Sequence, residues 1–269
     1  LYTKIDSRIK CRNDKCATIA TTKRHRTQRH QGSETMENKK IAVFGDSILK
    51  GVITVPNSGR IFDVVENDSL TQAQKVLGFE LTNNSIYGNV ITKAKGKFEK
   101  FIQKQKDANN LPDVVIIEFG NNDCDYDWNI VSDATNFSEI LPKTPLNDFL
   151  ENLDSMVKLC KENNITPIIM TMPPLVGDRW FENVTKNLNK ENIAKFLGEN
   201  PGDKLSRNNE FYNLNIVEYA IKNDVKIADV RKLFLQQDDY RKLMCLDGIH
   251  PNQDGYDLLA KFWIEFLDE

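Results

Sequence analysis

Long apolar runs are missing from this chain. No stretch approaches the roughly 18 consecutive apolar residues that a membrane-spanning helix needs, which excludes an integral helical membrane protein. Cysteine is sparse and odd in number: five residues, Cys11, Cys16, Cys124, Cys160 and Cys245, fall at irregular intervals with no Cys-x-x-Cys pair. That pattern argues against a disulfide framework or a zinc site and fits a reducing compartment. Residues 1–35 hold no apolar core of the kind a secretory signal needs, so they are not expected to be one, and the expected location is the cytoplasm. Two phosphate-binding patterns, Gly-x-x-x-x-Gly-Lys-Ser/Thr and Gly-x-Gly-x-x-Gly, are absent. So is Gly-x-Ser-x-Gly, because position 49 is leucine, which disfavours the α/β-hydrolase fold. An excess of basic charge is lacking too. The formal net charge is −3, and residues 38–269 are more acidic than that, which argues against nucleic acid as the main partner.

What is present begins with a basic tail. Residues 1–37 lack hydrophobic periodicity and carry the cluster from Lys23 to His30, whereas Met36 and the polar residues after it lead straight into an apolar run. The expected division is a tail at 1–37, disordered or foreign to the folded body, and one domain over 38–269. Asp6, Asp14 and Glu34 interrupt the basic character, which disfavours a transit peptide.

Within the body the pattern alternates. Ile41–Phe44, Phe79–Leu81 running on toward Asn84, Val114–Ile117, Pro167–Met170 and Val225–Ala228 read as strands. Between and after them, helices are expected within 61–77 (broken near Asn67-Asp68) and over 91–105, 145–163, 206–223 and 254–267. Thr144 is the expected N-cap of the third, with Pro145 at the first helical position. Strands alternating with helices predict an α/β fold: a three-layer α/β/α domain around a parallel sheet of about five strands. The one long irregular region, about 172–205, reads as a functional loop or lid.

Chemistry-bearing residues gather at the ends of these strands, where α/β sheets usually place their sites. Gly45-Asp46-Ser47 follows the first strand, Asn84 to Gly88 the second, and Gly120-Asn121-Asn122-Asp123 the third. A serine becomes a nucleophile only with a base and an oxyanion pocket. Of the three histidines, His25 and His30 lie in the tail, so an imidazole base must be His250. Asp247, three residues earlier, can reach the far ring nitrogen and fix the tautomer. Donors for an oxyanion are the Ser47 backbone N–H, the Gly88 N–H and the Asn122 side-chain amide, although a glycine after a strand is also common turn chemistry. Asp46 is expected to order the nucleophile loop and, with Asp123, is a candidate to border the substrate pocket. Trp180 and Phe181 either pack under the lid or line that pocket. Asp123 to Asp127 mimics the start of a calcium loop, but Trp128 replaces the sixth-position glycine and Ala134 the twelfth-position glutamate, so it reads as a solvated acidic turn.

These motifs, in this order, resemble the SGNH/GDSL hydrolase family of serine esterases and lipases. The resemblance spans about residues 39–266 and rests on Gly45-Asp46-Ser47 with Gly51, Asn84 to Gly88, Gly120 to Asp123, and Asp247 to His250. It implies Ser47 as nucleophile, His250 as base, Asp247 as orienting acid, and Ser47, Gly88 and Asn122 as oxyanion donors. It also implies a flavodoxin-like sheet of strand order 2-1-3-4-5, with no metal or organic cofactor. The expected activity is hydrolysis of a small-molecule carboxylic ester, short-chain or carbohydrate-borne, through an acyl-enzyme. Acyl transfer to a sugar or other acceptor, and a non-catalytic binding module on the same fold, are the alternatives.

Overall fold

Ile41, Ala42, Val43 and Phe44 are uninterrupted by polar residues and all four are buried, the pattern of a strand covered on both faces. They form the heart of β1 (Lys40–Phe44) in a computed structural model that describes residues 36–55 and 62–269. The expectations for residues 1–35 lie outside the described residues. Those described fall within one compact unit, Thr35–Glu269.

After β1, a short hairpin of β2 (Val52–Ile53) and β3 (Asp63–Val64) is followed by α1 (Ser69–Leu77), β4 (Glu80–Asn83), α2 (Ile91–Asp107), β5 (Val114–Ile117), α3 (Trp128–Asp133) and α4 (Leu146–Glu162). Then come β6 (Thr166–Met170), α5 (Gly177–Val184), α6 (Lys190–Leu197), α7 (Pro201–Lys222), β7 (Lys226–Ala228), α8 (Val230–Leu235), a 3-10 turn at Tyr240–Leu243 and α9 (Gln253–Asp268). The main sheet is parallel, in the order β4-β1-β5-β6-β7. Renumbered within that sheet alone, this is the expected 2-1-3-4-5. Among the described residues, no helix is long and apolar enough to cross a membrane.

Strand pleating sends alternate side chains to opposite layers. Ala42 and Phe44 pack with Phe98 of α2, Phe149 of α4 and Tyr212 of α7. Ile41 and Val43 pack with Leu70 of α1, Phe234 of α8 and Trp263 of α9. Each fully buried side chain of this size contributes roughly 1.5–3 kcal/mol through the apolar surface it removes from water. A third, smaller cluster (Trp128, Val131, Leu175, Ile193, Leu205 and Ile249 among its members) sits near the carboxyl end of the sheet.

Two expectations need correction, and two short helices went unread. Thr144 is not a helix cap: Pro145 holds the N-cap position of α4 and no side chain caps that terminus. The Thr144 backbone is committed elsewhere, its N–H donating to the Asp123 carbonyl at 3.0 Å and its C=O accepting from Tyr212 Oη at 2.7 Å. The region 172–205 is not irregular. It holds α5, α6 and the first turn of α7, which begins at Pro201, where the fixed φ of proline suits the first helical turn. The short helices α3 and α8 escaped the periodicity reading because six residues are under two turns; Asp127 and Asp229 cap them by accepting backbone N–H groups, the local signal that marks them.

Candidate active site

At the carboxyl end of β1 the chain turns through Gly45. A Cβ there would lie 2.8 Å from Glu118 Oε2, so only glycine lets β1 run this close to the Glu118 carboxyl. The Asp46 N–H donates to Glu118 Oε2 at 3.0 Å, and Asp46 Oδ1 accepts from the Ile48 N–H at 2.9 Å. These bonds close the turn that presents Ser47.

His250 arrives from the far end of the chain, on the loop before α9. That loop is shaped by Asp247, whose Oδ1 accepts from the Ile249 and His250 N–H groups at 3.1 and 3.2 Å. Gly248 in the same loop has φ +82°, and a Cβ on it would lie 2.5 Å from the Val176 carbonyl. Asp247 Oδ2 lies 2.6 Å from His250 Nδ1, and His250 Nε2 lies 2.8 Å from Ser47 Oγ. Burial would raise the Asp247 carboxyl, but hydrogen bonds and charge from His250 and the two backbone N–H groups outweigh it and hold it below the ordinary aspartate range. An ionised carboxylate only accepts, so Nδ1 carries the imidazole proton and Nε2 is left to accept from Ser47. All three groups are buried.

The other predicted residues divide. Ser47, Gly88, Asn122, Trp180 and His250 border one open cavity of about 660 Å³. Gly88 has φ +65°, a left-handed conformation that favours glycine. The Asn122 amide donates one hydrogen to Asp46 Oδ2 at 2.9 Å and carries a second. Asp46 and Asp123 do not border the cavity; both are fully buried behind it. Asp123 Oδ1 accepts from the Ile91 N–H at 2.9 Å and Oδ2 from the Gly120 N–H at 3.0 Å, so it joins the start of α2 to the turn after β5. Burial pushes the Asp123 carboxyl up to about 6. Burial also raises Asp46, and burial together with the Asp46 charge drives Glu118 well up. Phe181 packs against the third core cluster rather than the cavity, with Lys190 Nζ 5.3 Å from its ring centroid. The acidic turn is solvated only at Asp127, which is exposed; Asp123 and Asp125 are buried, where backbone, indole and lysine donors take up their charge.

Several site residues were not found by sequence reasoning. Tyr87 lies nearly parallel to the His250 ring, with centroids 6.2 Å apart, and stacks on Phe62 at 4.1 Å. Arg179 Nη1 donates to the carbonyls of Arg241, Met244 and Cys245 at 2.9, 3.1 and 3.2 Å, tying α5 to the segment that leads into the Asp247–His250 loop. Lys143 and Trp128 also border the cavity. Tyr87, Arg179 and Lys143 are placed by contacts distant in sequence, whereas Trp128 is held locally by Asp125, three residues before it. Among the described residues, no group of three or more His, Cys, Asp or Glu side chains is arranged to hold a metal ion.

A doubly wound parallel sheet with a hydroxyl, an imidazole and a carboxylate in line at its carboxyl end defines the class of this protein. The GDSL-like Lipase/Acylhydrolase family model matches residues 43–258, and the chain belongs to that family. It is 24% identical over 262 residues to the protein YpmR of Bacillus subtilis (strain 168), covering 91% of this chain and 88% of YpmR. The GDSL esterase/lipase WDL1 of Oryza sativa subsp. japonica is 24% identical over 171 residues, 61% of this chain and 56% of WDL1, so the chain spans just over half the length of that plant relative. An acetylxylan esterase from Geobacillus stearothermophilus superposes with a TM-score of 0.59 at 20% identity, over 87% of this chain and 96% of that one. The lipase/acylhydrolase from Enterococcus faecalis superposes with a TM-score of 0.57 at 19% identity, over 86% of this chain and 95% of that one. At such identities these two structures are alike in fold.

Proposed function

We propose that this protein is a serine esterase that cleaves carboxylic esters through an acyl-enzyme, with Ser47 as nucleophile, His250 as base and Asp247 as orienting acid. The observation that carries the reading is the continuous chain Asp247–His250–Ser47, at 2.6 and 2.8 Å. Ser47 Oγ attacks the ester carbonyl while its proton passes to His250 Nε2. The imidazolium so formed is stabilised by the adjacent Asp247 carboxylate, which stays ionised. The oxyanion is held by the backbone N–H groups of Ser47 and Gly88 and by the free hydrogen of the Asn122 amide. Collapse of the tetrahedral intermediate expels the alcohol, which takes the proton from His250. Water then enters and gives a proton to His250 as its oxygen attacks the acyl carbonyl; collapse breaks the bond from the acyl carbon to Ser47 Oγ, which takes the proton back from His250 as the acid leaves.

The cavity supports a short acyl group on a polar alcohol. It is open, and Lys93, Asp127 and Lys143 border it beside aromatic and aliphatic side chains, so a polar alcohol meets charged groups there that a long alkyl chain could not engage. The acetylxylan esterase of matching fold fits the same substrate class.

A fluorophosphonate probe tests the reading together with p-nitrophenyl acetate turnover. Wild type should label and turn over, and Ser47→Ala should do neither. Turnover at the wild-type rate in Ser47→Ala would overturn the mechanism.

A further inference from the structure

Asp125 is a buried carboxylate on the wall of the cavity, and none of the proposed catalytic steps uses it. Its Oδ1 accepts from the Trp180 indole Nε1 at 3.2 Å. Its Oδ2 accepts from the Trp128 indole Nε1 at 3.2 Å and from Lys143 Nζ at 3.0 Å. Asp125, Trp128, Trp180 and Lys143 all border the cavity that holds Ser47 and His250. Three elements of the chain meet at this one side chain: the turn after β5 with the start of α3, the segment before α4, and α5.

The chemistry of the partners defines the role. An indole N–H and an ammonium can only donate, so the group between them must accept on both oxygens. A carboxylate does so; an amide of the same shape accepts on one side only. Lys143 balances the charge that burial would otherwise make costly. With both N–H groups tethered, neither indole can turn away from the wall. A fixed indole offers an apolar face with polar groups at its rim, the surface that suits the C–H face of a sugar ring whose hydroxyls reach the neighbouring lysine and acidic groups.

We infer that Asp125 is a positioning residue for substrate selection: it sets Trp180 and Trp128 as a rigid wall that receives the alcohol half of the ester, a carbohydrate ring. The inference rests on the ester-hydrolase reading for the reaction and adds the moiety recognised and the side chain that organises its recognition.

The test compares full-length wild type, Asp125→Asn and Trp180→Phe on two acetates: a mono-acetylated methyl glucoside, which fills the wall, and ethyl acetate, whose alcohol is too small to span it. The amide introduced by Asp125→Asn would keep its oxygen toward Lys143 and Trp128 and turn its NH2 against the Trp180 N–H, releasing α5's indole alone. In Asp125→Asn the ratio of kcat/KM for the glucoside over ethyl acetate should fall about tenfold, mainly through KM, the scale of one charge-assisted hydrogen bond. Trp180→Phe keeps a ring but loses the tether, and should lower the same ratio in the same direction. Combined with Asp125→Asn it should add little, since both changes cut one bond. An unchanged ratio in both variants, or an equal loss on both esters, overturns the inference. If wild type cleaves neither ester and resists the fluorophosphonate probe, the esterase reading fails separately. The wall is then judged by tryptophan fluorescence with cellobiose as probe: a saturable change in wild type that is lost in Asp125→Asn supports it, and no change in wild type refutes it.

Discussion

The Asn122 side-chain amide donates a 2.9 Å hydrogen bond to Asp46 Oδ2 across 76 residues of sequence. The bond joins the turn after β5 to the turn after β1 and fixes which way the remaining amide hydrogen points. An oxyanion donor is useful only when it is already aimed before the charge develops. Replacing Asn122 by alanine should therefore lower kcat by about 10²–10³, the usual cost of one such donor, with a smaller change in KM. Asp46→Ala removes both the aim of Asn122 and the Oδ1 acceptor that closes the Ser47 turn, and should lower kcat at least as much. Steady-state kinetics on p-nitrophenyl acetate check both, and an unaltered kcat in Asn122→Ala would remove that residue from the oxyanion site.

Arg179 holds three carbonyls of the segment before Asp247 with a single guanidinium nitrogen. In Arg179→Ala those carbonyls lose a charged donor at a partly solvated position, a cost of about 1–2 kcal/mol. The melting temperature should drop modestly. If the clamp also sets the reach of His250 to Ser47, kcat should fall more than KM rises. Arg179→Lys, which keeps charge but not the guanidinium geometry, should recover stability only in part.

Gly177 and Gly202 face one another where α5 crosses the start of α7. A Cβ on Gly177 would lie only 1.9 Å from the Gly202 carbonyl oxygen, and neither backbone can yield alone. Gly177→Ala should destabilise the protein by about 1–3 kcal/mol through overpacking. Because α5 carries both Arg179 and Trp180, the variant should also lose activity at temperatures below its unfolding transition. Denaturant midpoints and kcat/KM measured side by side test the pairing of the two losses.

Asp123 predicts a pH dependence of stability. Burial raises its carboxyl from 3.8 to about 6, so the folded state binds this proton more tightly than the unfolded chain does. The contribution is present in full below pH 3.8 and is lost as pH rises toward 6. Over those two units the loss is on the order of 3 kcal/mol at most, at about 1.4 kcal/mol per unit. Asp123→Asn does not titrate, so the stability difference between wild type and this variant should shift against wild type between about pH 4 and 6 and stay level above about pH 7. A difference that is flat across the whole range would refute the assignment.

The alternation of apolar strands with amphipathic helices was readable in order because period and burial are local properties. Strand boundaries held to within a residue or two: the run Val114–Ile117 is the strand itself. The reading failed where the cause lies at a distance. Thr144 and Pro145 read as a cap and first turn, yet Thr144 is drawn into bonds with Asp123 and Tyr212. Residues 172–205 look loop-like because Pro173, Pro174 and short periodic stretches hide two helices of eight residues each. Asp125 looked solvated because the partners that bury it, Lys143 and Trp180, lie 18 and 55 residues away.

By itself, the order of residues determined the sheet type, the residue types available for acyl chemistry and the choice of His250 as the imidazole in the body of the chain. Those follow from composition and period, which every local segment carries. Tertiary structure alone decided that Ser47 and His250 meet at 2.8 Å although 203 residues separate them, that Asp46 and Asp123 lie behind the cavity rather than around it, and that Trp180 borders it while Phe181 does not. Those depend on how the elements cross, and a crossing is set by the packing of whole faces against one another rather than by any segment taken alone.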